Sequence, residues 1–220
     1  MKRITLFAGH YGSGKTNVAI NYAKWLRRSC SEVAMADLDI VNPYFRTKDS
    51  ADELRKAGIE LVVSGYANSN VDFPAMPKEA YALFAGGGKV VVDVGGDDRG
   101  ALALGRYVGD IRNENDYEML AVVNFSRPLT STPAEAMAVL KEIEEACSLP
   151  FTGIVNNTNL GMSTTADDVV ESARIAGDLS RMMGLPVRFT SVAAHLAERV
   201  AESLPDVFAL DIQKLYYQLP

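Results

Sequence analysis

Short apolar runs of β-favouring residues recur along this chain at positions 4–8, 33–36, 59–63, 90–94, 119–123, 151–155 and 187–190. Most are solid rather than alternating, the pattern of strands covered on both faces. Between them lie stretches with apolar residues at helical spacing, the clearest at 16–28, 132–147 and 163–183. Strand and helix in alternation predict an α/β fold. The expected form is a doubly wound, mostly parallel sheet of about seven strands with helices on both faces.

The helix boundaries carry their own signals. Thr132 and Glu135 have the spacing of a capping box, with Pro133 at the first helical position. The helix at 163–183 has Asp167 and Asp168 near its start, Gly184 as its C-cap and Pro186 ahead of the last strand. The final stretch, 206–219, reads as a docking helix. The polar, Asn-rich and Pro-containing stretch 64–77 reads as a long mobile loop.

A length of 220 residues with 48% hydrophobic content suits one core, so residues 1–220 are expected to form a single domain. Cys30 and Cys147 are far apart in sequence and show no metal-binding spacing. With no signal peptide or membrane-spanning run legible, a reducing cytoplasmic setting is expected. A net charge of -6 argues against sequence-independent nucleic-acid binding, which needs a basic surface. The tail 206–220 carries Lys214 as its one cation, which argues against a basic membrane-binding helix.

Chemistry enters at the first strand-to-helix junction. Gly9-His10-Tyr11-Gly12-Ser13-Gly14-Lys15-Thr16 fits the spacing of a phosphate-binding loop in its proper context. Backbone N–H groups of such a turn converge on a phosphate, and the helix behind it presents its positive end. Lys15 would reach the β and γ oxygens, and the Thr16 hydroxyl would ligate Mg²⁺. The loop from Gly9 to Thr16, with Asn17 after it, is therefore the candidate nucleotide site. The alternative is a glycine-rich turn that binds nothing.

Two further strand ends are acidic. Asp37 and Asp39 close the second run, and Asp93, followed by Val94, Gly95 and Gly96, closes the fourth. Both would lie on the carboxyl edge of the sheet, beside the loop. Asp93 suits holding a Mg²⁺-bound water, while Gly95 and Gly96 would let backbone approach a γ-phosphate. The alternative for Asp93 is a strand-terminating turn, which is the preferred reading for Asp97 and Asp98.

Together the loop, Ala36-Asp37-Leu38-Asp39 and Asp93-Val94-Gly95-Gly96 resemble the MinD and ParA branch of P-loop NTPases, in the SIMIBI class. Nitrogenase iron protein and related maturation ATPases belong to the same branch. The resemblance runs along the whole chain in order, but only these motifs are specific. It implies that Asp39 positions the attacking water and that Asp37 supports the metal site. It also implies slow ATP hydrolysis serving as a switch for a protein partner, often with a nucleotide-dependent homodimer. One position departs: the loop's second residue, a signature lysine in that branch, is His10. His10 either stands in as a weaker donor or cation, or packs beside the loop.

Related proteins bind the purine through an asparagine after the sixth strand, where this chain has Asn156 and Asn157. An amide offers a donor and an acceptor to adenine, and the guanine-reading N-K-x-D pattern is replaced by Asn156-Asn157-Thr158-Asn159. ATP is thus expected over GTP; the alternative is that both asparagines shape a turn. Residues 42–46 would form the first switch, with Arg46 as an arginine finger disfavoured. His195 and Arg127 read as surface or satisfied-loop residues. A small-molecule kinase or ligase is the second reading, with Arg46, Lys48 and Arg99 as its thin set of substrate groups. A metallocentre-maturation factor is disfavoured by the missing cysteine pair.

Overall fold

A computed structural model describes residues 1–38, 48–63, 83–84, 86–96 and 104–212. The strands are β1 (Ile4–Ala8), β2 (Val33–Asp37), β3 (Glu60–Val63), β4 (Lys89–Asp93), β5 (Tyr117–Val123), β6 (Gly153–Asn156), β7 (Val187–Ala193) and β8 (Val207–Leu210). They form one sheet in the order β3-β2-β4-β1-β5-β6-β7-β8, and every neighbouring pair is parallel.

Side-chain alternation assigns the two faces. Ile4, Leu6 and Ala8 of β1 point to one side and join a core shared with α3 (Val108–Glu114), α4 (Pro133–Cys147) and α5 (Ala166–Met183). Phe7 points to the other side and packs with α1 (Lys15–Arg27) and with Leu54 of α2 (Lys48–Lys56). Helices on both faces explain why the strands are apolar throughout. The predicted doubly wound α/β fold is therefore the observed one.

Helix starts follow local chemistry. Thr132 and Glu135 make the reciprocal capping box, with Thr132 N donating to Glu135 Oε2 at 3.0 Å and Glu135 N to Thr132 Oγ1 at 3.2 Å. A second box, between Thr165 and Asp168, starts α5 three residues later than predicted. Residues Gly161–Ser163 form a separate 3-10 turn ahead of it.

The chain's end departs from expectation. Instead of a helix from 206, residues Val207–Leu210 add an eighth strand, paired with β7 from Thr190↔Val207 to Ala193↔Leu210. Val207 and Phe208 favour the extended state, and Asp206 at φ 51° makes the turn into it. The 64–77 loop and the tail from 213 lie outside the described residues. No helix among the described residues is long and apolar enough to cross a membrane.

Candidate functional site

The glycine-rich segment leaves β1 at the carboxyl edge of the sheet, next to the centre. Its turns need left-handed backbone: Gly12 has φ 78° and Gly14 φ 82°, which glycine adopts without the cost that a Cβ imposes. Ser13 N donates to His10 O at 3.0 Å, closing the turn. Side chains from two other strand ends take the loop's outward carbonyls. Asn157 Nδ2 donates to Ser13 O at 2.6 Å, and Arg127 Nε donates to Gly12 O at 3.1 Å. A trans peptide that turns its carbonyl outward turns the next N–H inward. The Asn157 tether thus turns the Gly14 amide toward the concave side, while the Ser13 amide of the peptide held by Arg127 closes the turn on His10 O.

α1 begins here in a way that the other long helices do not. Its N-cap is Gly14, with no side-chain cap and no acidic residue in the first turn, whereas α4 and α5 carry Glu135 and Asp168 there. The positive end of α1 is thus left to an anion from outside the helix. Lys15 is buried at this end. The Ser13 hydroxyl is buried as well and has no hydrogen-bond partner among the described residues.

A threonine and two carboxylates adjoin the loop. Thr16 Oγ1 donates to Asp93 Oδ2 at 2.6 Å, and Asp93 is fully buried. Asp37 stands directly opposite Asp93 in the β2–β4 register, and strand alternation puts both on the α1 face of the sheet. A threonine hydroxyl beside a carboxylate at a phosphate loop fits Mg²⁺, which keeps most of its shell for water and phosphate oxygens. Gly96, after this strand, lies against the loop's own backbone: a Cβ there would stand 2.9 Å from Gly9 O and 3.0 Å from Tyr11 N.

The two asparagines divide. Asn156 points to the α5 face, where Nδ2 donates to Ser172 Oγ at 2.8 Å. Its Oδ1 accepts from Thr158 Oγ1 at 2.7 Å and from Thr158 N at 3.2 Å. It is sealed, and the structure does not bring it to the loop. Asn157 is brought there: besides its bond to Ser13 O, its Oδ1 accepts from Ser191 Oγ at 2.8 Å. Asn17 faces along α1, its Oδ1 and carbonyl accepting from Asn21 Nδ2 at 3.2 and 2.9 Å. His10 is half-buried and its Nδ1 lies 3.0 Å from Tyr11 O, while Tyr11 is exposed.

Asp39, residues 42–46, Asp97, Asp98, Arg99 and the Lys48 side chain lie outside the described residues. His195 is exposed in a 3-10 turn, as expected of a surface residue. Arg127 is a satisfied loop residue, but the group satisfying it belongs to the phosphate loop. Ser191 and Asn124 were not singled out. Asn124 laces the two neighbouring edge loops together, its Oδ1 accepting from Ser126 N at 2.9 Å and its Nδ2 donating to Asn159 O at 3.2 Å. Their signal is position: Asn124 directly follows β5, and Ser191 lies near the carboxyl end of β7, on the edge that holds the loop.

No protein-family model matches the chain, and no curated protein matches it in sequence. Solved structures match in fold. The cell division protein FtsY from Thermotoga maritima superposes with a TM-score of 0.61 at 18% identity, over 88% of this chain and 62% of that one. The signal recognition particle receptor FtsY from Elizabethkingia anophelis, in complex with GDP, gives 0.53 at 16% identity over 88% and 57%. The signal recognition particle 54 kDa protein from Aeropyrum pernix, also in complex with GDP, gives 0.53 at 18% over 86% and 41%. The chain thus spans less than two thirds of the length of these neighbours. At such identities the likeness establishes the fold, that of an α/β P-loop NTPase, and these neighbours belong to the SIMIBI class.

Proposed function

We propose that this chain is a slow, Mg²⁺-dependent nucleoside-triphosphate hydrolase that works as a switch, with ATP as its nucleotide. The observation that carries the reading is the Thr16 hydroxyl held 2.6 Å from the Asp93 carboxylate at the foot of a helix with no cap of its own. Lys15 and the loop amides bind the β and γ phosphates and stabilise charge as the γ-phosphoryl group departs. Thr16 and Asp93 would hold Mg²⁺, supported by Asp37, and the ion would supply positive charge against that of the phosphates. Asp39 orients the attacking water, in line with the resemblance. Catalysis here is mostly positioning.

ATP is favoured because residues 156–159 offer no carboxylate for the N1 and N2 hydrogens of guanine. With Asn156 engaged on the α5 face, base contact falls to Asn157 and its neighbours. GTP is the second reading, favoured by the GDP complexes among the fold neighbours. The switch would act on a protein partner or through a nucleotide-dependent homodimer. Tyr11, Leu129, Leu160 and Met162, exposed on three loops of the same edge, supply apolar surface for either.

Calorimetric titration with MgATP and MgGTP tests the reading, with Lys15→Ala as the control. Micromolar binding of one triphosphate, lost in Lys15→Ala and followed by slow release of inorganic phosphate, is expected. Binding of neither would overturn it. Sizing the Asp39→Ala protein with ATP then reports whether the switch dimerises. A phosphorylated metabolite formed faster than basal hydrolysis would replace the switch by a small-molecule kinase.

A further inference from the structure

We propose that Arg127 is a positioning residue for the phosphate loop, acting through the hydrogen bond that its Nε donates to Gly12 O rather than through its charge. The inference rests on the nucleotide-site reading and adds to it a residue outside the loop motif.

The 12–13 peptide is the apex of the loop. Its N–H end is fixed by the bond from Ser13 N to His10 O, and its carbonyl end by Arg127 at 3.1 Å. Gly12 has a left-handed φ, a region that glycine leaves at little cost, so this plane has a low intrinsic barrier to rotating out of place. If the plane rotates, Ser13 N leaves His10 O and the turn that presents the following amides opens. The next plane is held by the Asn157 amide on Ser13 O. Arg127 and Asn157 therefore fix two consecutive peptides from two different strand ends.

Arg127 is itself held in place. Its N–H donates to Asn124 O at 3.2 Å, its carbonyl accepts from Thr130 N at 3.1 Å, and Pro128 follows to open a 3-10 turn. Its stem runs beside the apex, with Cδ 3.8 Å from the site of a Gly12 Cβ. A side chain on such a braced turn gives up less conformational freedom when it makes its bond, which is the condition for a useful tether. The arginine is exposed, so replacing it leaves the buried core untouched.

Side-chain length separates the tether from the charge. Glutamine carries its Nε2 the same number of bonds from the backbone as arginine carries Nε, so Arg127→Gln keeps a neutral donor opposite Gly12 O. Arg127→Lys keeps the charge one atom further out and has no donor at that position. Arg127→Met keeps only the stem. The probes are MgADP and MgGDP, read by calorimetry on the full chain, with thermal melting of the nucleotide-free protein in parallel.

A hydrogen bond of this kind contributes on the order of a fivefold effect on affinity. The expected result is Arg127→Gln within about twofold of the parent, Arg127→Met and Arg127→Lys weaker by about fivefold, and unchanged melting temperatures in all three. Rescue by lysine and not glutamine would overturn the tether in favour of a charge on the phosphates. Equal affinity in Arg127→Met and the parent, with Lys15→Ala inactive, would remove Arg127 alone. A parent that binds neither diphosphate would remove the nucleotide site and this role with it.

Discussion

Replacing Asn156 and Asn157 one at a time separates two adjacent asparagines that composition cannot distinguish. In Asn156→Ala the Thr158 amide and hydroxyl lose their acceptor at 3.2 and 2.7 Å, and the Ser172 hydroxyl loses its partner at 2.8 Å. All of these groups are buried, so water cannot replace the amide without opening the sheet edge. Each orphaned buried polar group costs about 1–3 kcal/mol, and because Ser172 Oγ keeps its bond to Val169 O the sum should fall near 3 kcal/mol. That is a large part of the roughly 5–15 kcal/mol that holds a domain folded. Nucleotide affinity in the folded fraction should stay within about twofold, because the side chain faces α5. Asn157→Ala should do the reverse. It frees the Ser13 carbonyl and should weaken nucleotide binding by about tenfold, about 1.4 kcal/mol, with a smaller loss of stability. Urea unfolding followed by circular dichroism, paired with calorimetry, reads both quantities. If Asn156→Ala lost affinity and kept its stability, the assignment of faces argued above would be refuted.

Other outcomes follow from single groups. Gly14→Ala should abolish tight phosphate binding, because a Cβ there needs the left-handed region, costing about 1–2 kcal/mol, and collides with the Asn157 amide; nucleotide titration checks it, and near-parent affinity would count against the loop geometry. Thiol reagents at pH 8 should modify Cys30 and spare Cys147, whose thiol burial pushes up to about 12; two equally fast thiols would contradict the packing of α4. Stability should hold up to about pH 9 and fall as the pH rises further. Burial, with Glu118 adding to it, pushes the Tyr22 phenol up to about 12, and Cys147 moves the same way, so the unfolded chain releases both protons first. Denaturant midpoints at pH 8 and 10.5 test this, with a rise at the higher pH as the contrary result.

The fold was legible because parallel strands are apolar on both faces and the chain alternates them with helices. Glycines and caps placed α1, α4 and α5 within a turn of their observed starts. The eighth strand was misread because Val207–Leu210 is too short to separate from a helix by periodicity, and its pairing with β7 is a tertiary fact. At the site, Lys15, Thr16 and Asp93 fall where the motif spacing puts them. What spacing could not supply was the parity of β6: Val155 faces α1 and Asn156 faces α5, so one of two identical neighbours turns away from the loop. Arg127 and Ser191 were illegible for a related reason, since each acts through a backbone or amide group that is distant in sequence.

The two tethers of the phosphate loop also set an order of events in the making of the protein. Arg127 lies 115 residues beyond Gly12, and Asn157 lies 144 beyond Ser13. β1 in turn sits between β4 and β5, neither of which leaves the ribosome until long after it. The loop is synthesised well before both of its clasps and is finished only after them, because closing such long chain loops must precede the contacts that reward it. A nascent chain that stops short of β6 carries the whole glycine-rich motif and still lacks one of the two clasps that shape it. On the proposed function, nucleotide binding becomes fully available only once the later half of the sheet has docked.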